Sequence, residues 1–224
     1  MVAAMILSPG RGYVFIHIPK TGGTSLALAL EARAMKDDIM LGDTPKARRR
    51  RHKANQLPAR GRLWKHSTLA DIEGMVPDAV LNGLLAFTLV RNPWDRAVSY
   101  YHWLRGQSFA HPAVGLAQSL GFGAFLRHPQ IRAGFRGHPA AQYLRRSDGR
   151  AQTALFIRIE AFAQDAAPLW DHLGFRLELP HENRSDRSDR GDYRSHYTPD
   201  TAQIIAQECA IDIAQFGYRF DPVN

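Results

Sequence analysis

Cysteine is nearly absent: Cys209 is the only one in 224 residues, which excludes an internal disulfide framework and any multi-cysteine zinc site. Long hydrophobic runs are absent too. No stretch approaches the roughly 20 apolar residues that span a bilayer, and Met1–Leu7 lacks both the basic start and the full hydrophobic stretch of a secretory leader. The expectation is a protein of the reducing cytoplasm with no transmembrane segment. Core-forming residues are plentiful, since 45% of the chain is hydrophobic against 22% charged, and this excludes a disordered or fibrous chain. The length suits one large domain or two small ones, and no repeat of solenoid length occurs.

Acid is missing from one segment. Between Thr44 and Lys65 lie nine basic residues and no Asp or Glu, more than the whole chain's net charge of +8. Such an excess points to nucleic acid, an anionic membrane surface or a small polyanion. Lys46–Lys53 shows no apolar periodicity, and Pro45, Pro58 and Gly61 punctuate the segment, so an exposed basic loop is expected at about 44–62. Aromatic residues are not interleaved with these bases, which disfavours nucleic acid. An anionic acceptor or peripheral membrane contact remains open. A second biased stretch, Arg184–Arg194, alternates charge nearly to neutrality.

Strands alternate with helices along the rest of the chain. Tyr13–Ile18 is a short β-branched and aromatic run that leads into a glycine turn, and Thr24–Met35 follows with helical spacing. Leu84–Val90 is almost continuously apolar, as expected of a central parallel strand covered on both faces. Asn92 then offers an N-cap and Pro93 a first helical position for a helix to about Leu104, with Trp94, Ala97, Val98, Tyr101 and Leu104 on its apolar stripe. Ala154–Ile159 reads as a strand followed by a helix through about Leu173, and Thr198-Pro199-Asp200 opens a last helix that Gly217 ends. The Gly-, Pro- and His-rich stretch at about 106–150 suits short helices and loops of a substrate-cleft insertion. The whole, residues 1–224, reads as one α/β domain with three layers, α/β/α, around a central parallel sheet.

Two motifs carry the chemistry. In His17-Ile-Pro-Lys-Thr-Gly-Gly-Thr-Ser25, the glycines let backbone approach a ligand and the next helix offers its positive end to an anion. Lys20, Thr21, Thr24 and Ser25 add a charge and hydroxyl donors, so a phosphate is the natural occupant. The G-x-x-x-x-G-K-[ST] pattern is absent because the lysine precedes the glycines, which disfavours an ordinary ATPase or GTPase. The second motif, Leu89-Val-Arg-Asn-Pro-Trp-Asp-Arg-Ala-Val-Ser-Tyr-Tyr101, puts Arg91 where a strand ends at its carboxyl edge, the usual ligand edge of open α/β sheets, with Ser99 on the following helix.

PKTGGTS followed by LVRNPWDRAVSYY closely resembles the 5′-phosphosulfate loop and 3′-phosphate motif of sulfotransferases that use 3′-phosphoadenosine 5′-phosphosulfate (PAPS). The wording is similar to the branch containing carbohydrate and heparan sulfate sulfotransferases and their bacterial relatives. The stretch from Asn183 through Phe216–Phe220 also looks like the end of these domains. The resemblance implies a P-loop NTPase-like sheet that binds PAPS without metal and releases 3′,5′-adenosine bisphosphate. It implies that Lys20, Thr21, Gly22, Gly23, Thr24 and Ser25 hold the 5′-phosphosulfate, that Arg91 and Ser99 hold the 3′-phosphate, and that the acceptor is a hydroxyl, in that branch a glycan's.

In-line sulfuryl transfer needs positive charge on the leaving oxygen, for which Lys20 is the candidate, and a base for the acceptor proton. His66 is similar to the family's catalytic histidine, and a short apolar opening before it suggests a strand end. Histidine titrates near working pH, but the chain has ten of them; His17, His102 and His111 are rivals, as is a Glu or Asp. Arg187, Arg190 and Arg194 are further candidates for the nucleotide. Two other functions stay in view: a nucleotide-dependent phosphotransferase, for which no Walker-type acid follows a strand, and a basic module that binds polyanions without catalysis.

Overall fold

Where apolar residues run without interruption the chain forms strands, and two of these runs, 4–7 and 86–90, are buried on both faces. In the computed structural model, which describes residues 3–179 and 192–221, β1 (Ala4–Ser8), β2 (Tyr13–Phe15), β3 (Ile39–Gly42), β4 (Leu85–Val90) and β5 (Ala154–Arg158) form one sheet in the order β3-β1-β2-β4-β5. β4 lies parallel to both its neighbours, with Phe87 beside Phe15 and Leu155. The sheet as a whole is mixed, where the sequence suggested a parallel one. β1 runs antiparallel to β2, with Ile6 opposite Phe15, and antiparallel to β3, with Ala4 opposite Gly42. The cause is local: a 3-10 turn at Pro9–Arg11, ending on Gly12 at φ 68°, joins β1 to β2. So short a link reverses the chain, whereas parallel neighbours need a crossover.

The chain divides into two compact units, Met1–Val90 with Ala140–Ser185 and Arg91–Pro139 with Asp186–Asn224. The first contains the sheet. Helix α1 (Gly23–Ala32) lays Leu26 and Leu30 into a core with Ile6, Phe15, Phe87 and Leu89; it stops short of the Met35 that spacing suggested.

The basic segment expected as a loop at about 44–62 is helical over α2 (Pro45–Asn55). Thr44 caps it, its Oγ1 accepting from the Ala47 amide at 3.3 Å, and Pro45 takes the first turn. Ala47 and Ala54 are its buried residues, while arginine and lysine, good helix formers, hold six of the other nine positions. A short α3 (Asp78–Gly83) precedes β4. After β5 the single helix expected to Leu173 comes in pieces, a 3-10 turn at Ile159–Ala161 and then helices Phe162–Asp165 and Ala167–Leu173.

The second unit opens with α4 (Pro93–Arg105) as its cap and stripe predict: Asn92 Oδ1 accepts from the Trp94 amide at 3.0 Å, and Trp94, Ala97, Val98, Tyr101 and Leu104 are buried. Short helices follow at Pro112–Ser119, Phe122–Arg127 and Pro129–Arg136. The last helix is broken at Cys209 into Pro199–Glu208 and Ala210–Phe216, and Gly217 at φ 67° ends it. Glu208, its side chain 2% exposed, is clamped by Arg132 at 2.6 Å and Arg136 at 2.7 Å. Burial alone would raise its carboxyl, but these two guanidinium groups hold it below the usual range.

Candidate active site

The glycine loop grows out of β2. Beyond Phe15 the Ile16 amide donates to the Phe87 carbonyl at 3.0 Å, and the buried Thr88 hydroxyl donates to the Ile16 carbonyl at 2.7 Å, so the chain is held against β4 up to the turn. At Lys20 the backbone enters the left-handed region, φ 67°, the only non-glycine among the described residues to do so. Backbone strain of this kind concentrates at ligand-binding turns.

The next residues are fixed by contact. A methyl group on Gly22 (φ 87°) would meet Ile159 Cδ1 at 2.2 Å, and one on Gly23 would meet His17 Cδ2 at 2.3 Å. With α1 starting at Gly23, the amides of its first turn have no partner within the helix and lie at its positive end. Thr24 and Ser25 are buried in that turn. The Thr21 hydroxyl donates to the Ile18 carbonyl at 2.9 Å, so Thr21 would meet an anion through its amide.

His66 stands in a turn, where a strand end was expected. Ser67, fully buried, makes that turn: its hydroxyl accepts from the Trp64 amide at 2.9 Å and donates to the Arg62 carbonyl at 2.8 Å. His66 Nδ1 lies 2.8 Å from the carbonyl oxygen of His17. A carbonyl only accepts, so Nδ1 carries the proton, and in the neutral ring the lone pair sits on Nε2.

The His17 ring lies 4.7 Å from that of His66, and Trp64 meets His66 edge-on at 5.0 Å. His17 is itself buried, and its Nδ1 has no hydrogen-bond partner among the described residues. Burial, and after it the positive fields of His66, Lys65 and Lys20, push its pKa well below the ordinary histidine value. His17 is therefore a neutral packing element beneath Gly23. The other rivals have structural work: His111 Nδ1 accepts from the Ala113 amide at 3.2 Å as a helix cap, and His102 packs on Tyr101 and His196, each at 5.3 Å.

Lys20 through Ser25, His17 and His66 thus share the first unit. Arg91 and Ser99 belong to the second. There Asp95 receives Arg91 in a two-pronged pair, Nε at 2.8 Å and Nη2 at 2.6 Å, which fixes the plane of the guanidinium. Asp95 stands in the first turn of α4, and its spacing four residues after Arg91 is the signal in the sequence that such a pair could form. Ser99 lies half-buried further along α4. Arg194 is held by Asp192 and by the Phe220 carbonyl at 2.7 Å. Arg187 and Arg190 lie outside the described residues.

A model described as the sulfotransferase family matches residues 4–150, a span that contains both motifs and His66. The chain belongs to the sulfotransferase family. No curated protein matches it. Among solved structures it is similar to mouse sulfotransferase SULT7A1 complexed with PAP, at 17% identity and a TM-score of 0.44, over 92% of this chain and 85% of that one. For a member of this family the loop's construction fits an anionic group. Gly22 and Gly23 leave no room for side chains, and the amide-bearing start of α1 follows directly.

Proposed function

We propose that this sulfotransferase moves the sulfuryl group of PAPS to the hydroxyl of a carbohydrate acceptor, in a reducing cytoplasm. The observation that carries the reading is the hydrogen bond from His66 Nδ1 to the His17 carbonyl. It supports a base whose acceptor nitrogen is Nε2, anchored to the residue that lies under Gly23 of the phosphate loop. When bound, PAPS supplies the sulfuryl group and a phosphate leaving group. Lys20, Thr21, Gly22, Gly23, Thr24 and Ser25 would hold its 5′-phosphosulfate, and Arg91 and Ser99 its 3′-phosphate. His66 Nε2 takes the proton of the attacking hydroxyl. The Lys20 ammonium sets positive charge where negative charge develops on the departing oxygen. The carbohydrate class rests on the likeness of the two motifs to that branch of the family.

The test is transfer of labelled sulfate from PAPS across a panel of glycans and small alcohols, with His66→Gln as control. The expected result is a labelled glycan with wild type, none with the variant, and no loss of rate with EDTA. In parallel, 3′,5′-adenosine bisphosphate should raise the melting temperature, and the shift should shrink sharply in Arg91→Ala. Equal stabilisation by ATP, with nothing specific to the 3′-phosphate, would sink the proposal.

A further inference from the structure

A cavity of about 420 Å³ lies among β3, α2 and the segment that carries His66, with Arg51, Arg62, Trp64 and Lys65 in its wall. We propose that it is a subsite for the negatively charged group of a saccharide acceptor. Its charge is one-sided. Asp43 is the only acid among the described residues that line it, and that carboxylate is already taken by the Ala3 amide at 2.6 Å and the Lys65 ammonium at 3.0 Å. Arg51 and Arg62 are exposed on the same wall.

Trp64 adds a second kind of recognition. It is 41% exposed, unusual for so large an apolar ring, and the Arg62 guanidinium lies 5.1 Å from its centroid. A cation beside a flat aromatic surface suits a ligand with an anionic group next to an apolar face, which is what an acidic pyranose presents. Because Trp64 meets the His66 ring at 5.0 Å, a sugar seated here lies beside the proposed base. A membrane is the poorer partner. The inward residues of α2, Ala47 and Ala54, are buried, so the helix has no apolar face to place among lipids.

This inference rests on the sulfotransferase reading for the role of the bound sugar, but binding is measurable without transfer. Calorimetry would compare a galacturonate tetramer with the galactose tetramer obtained by reducing its carboxyls, on wild type, the Arg51→Ala/Arg62→Ala double variant and Trp64→Ala. Wild type should bind the acidic tetramer at least tenfold more tightly than the neutral one. The double variant should lose that preference while keeping its thermal shift with 3′,5′-adenosine bisphosphate, and Trp64→Ala should weaken both sugars by a similar factor. Equal affinity for the two tetramers, or an undiminished preference in the double variant, overturns the subsite. So does a loss confined to binding of phosphatidylserine vesicles. Saccharide discrimination without transfer from any PAPS reaction would instead defeat the sulfuryl-transfer reading and leave the subsite standing.

Discussion

Lys20 carries its ammonium on left-handed backbone, φ 67°, a conformation that costs an L-residue about 1–2 kcal/mol and glycine almost nothing. Two substitutions separate charge from strain. Lys20→Ala and Lys20→Gly should each lose on the order of 10²–10³ in transfer rate, yet the glycine variant should be the more stable of the two by about 1 kcal/mol in urea unfolding. Equal stabilities would mean the turn relaxes at no cost. His17 supports a pH prediction. Its folded pKa lies well below that of the unfolded chain, so as pH falls through about 6.5 the unfolded state takes up a proton that the native state refuses. Stability should therefore be level above that pH and fall below it, by up to about 1.4 kcal/mol per unit from this one group. His17→Gln should flatten that part of the profile; an unchanged profile would assign the loss to other groups.

At the scale of elements, α2 depends on its cap, because it has only two inward residues. Thr44→Ala should cost about 1 kcal/mol and reduce helical circular dichroism before the global transition; a fully cooperative loss would show that the helix is held by packing instead. The same helix explains what sequence reading missed. Apolar periodicity is blind to a helix whose buried face is Ala47 and Ala54, and a run of arginines looks like a loop although arginine favours helix. α4 was legible because Asn92 and Pro93 announce it locally, and β4 because it is apolar throughout. β1 and β3 are apolar too but only five and four residues long, too short to stand out from other apolar runs, and β3 takes its place only by pairing with β1 across β2 and α1 in the sequence. His66 is singled out by its neighbours' likeness to a family, but its setting differs from the expected strand end, since Leu63 and Trp64 imitate a strand and the Ser67 hydroxyl makes the turn. The partner that orients the His66 ring is a backbone carbonyl, which no side-chain pattern records.

For the molecule as a whole, the net charge of +8 has a definite address. The nine bases of 44–65 fall in α2 and the segment behind it, and three of them, Arg51, Arg62 and Lys65, stand in the wall of the cavity that Trp64 lines. A field of one sign over a concave surface favours capture of anions and weakens with salt. The solitary Cys209 has a different consequence. It sits 7% exposed at the break between the last two helices, and burial pushes its thiol up to about 12, so at neutral pH the folded protein presents almost no thiolate. With no second sulfhydryl in the chain, alkylation is a one-event clock. Iodoacetamide should leave the native protein unmodified and add one mass tag only when the carboxy-terminal helices part, so the tagging rate reads how often they open without any engineered probe. Rapid tagging under native conditions would show that this end of the protein unfolds apart from the rest.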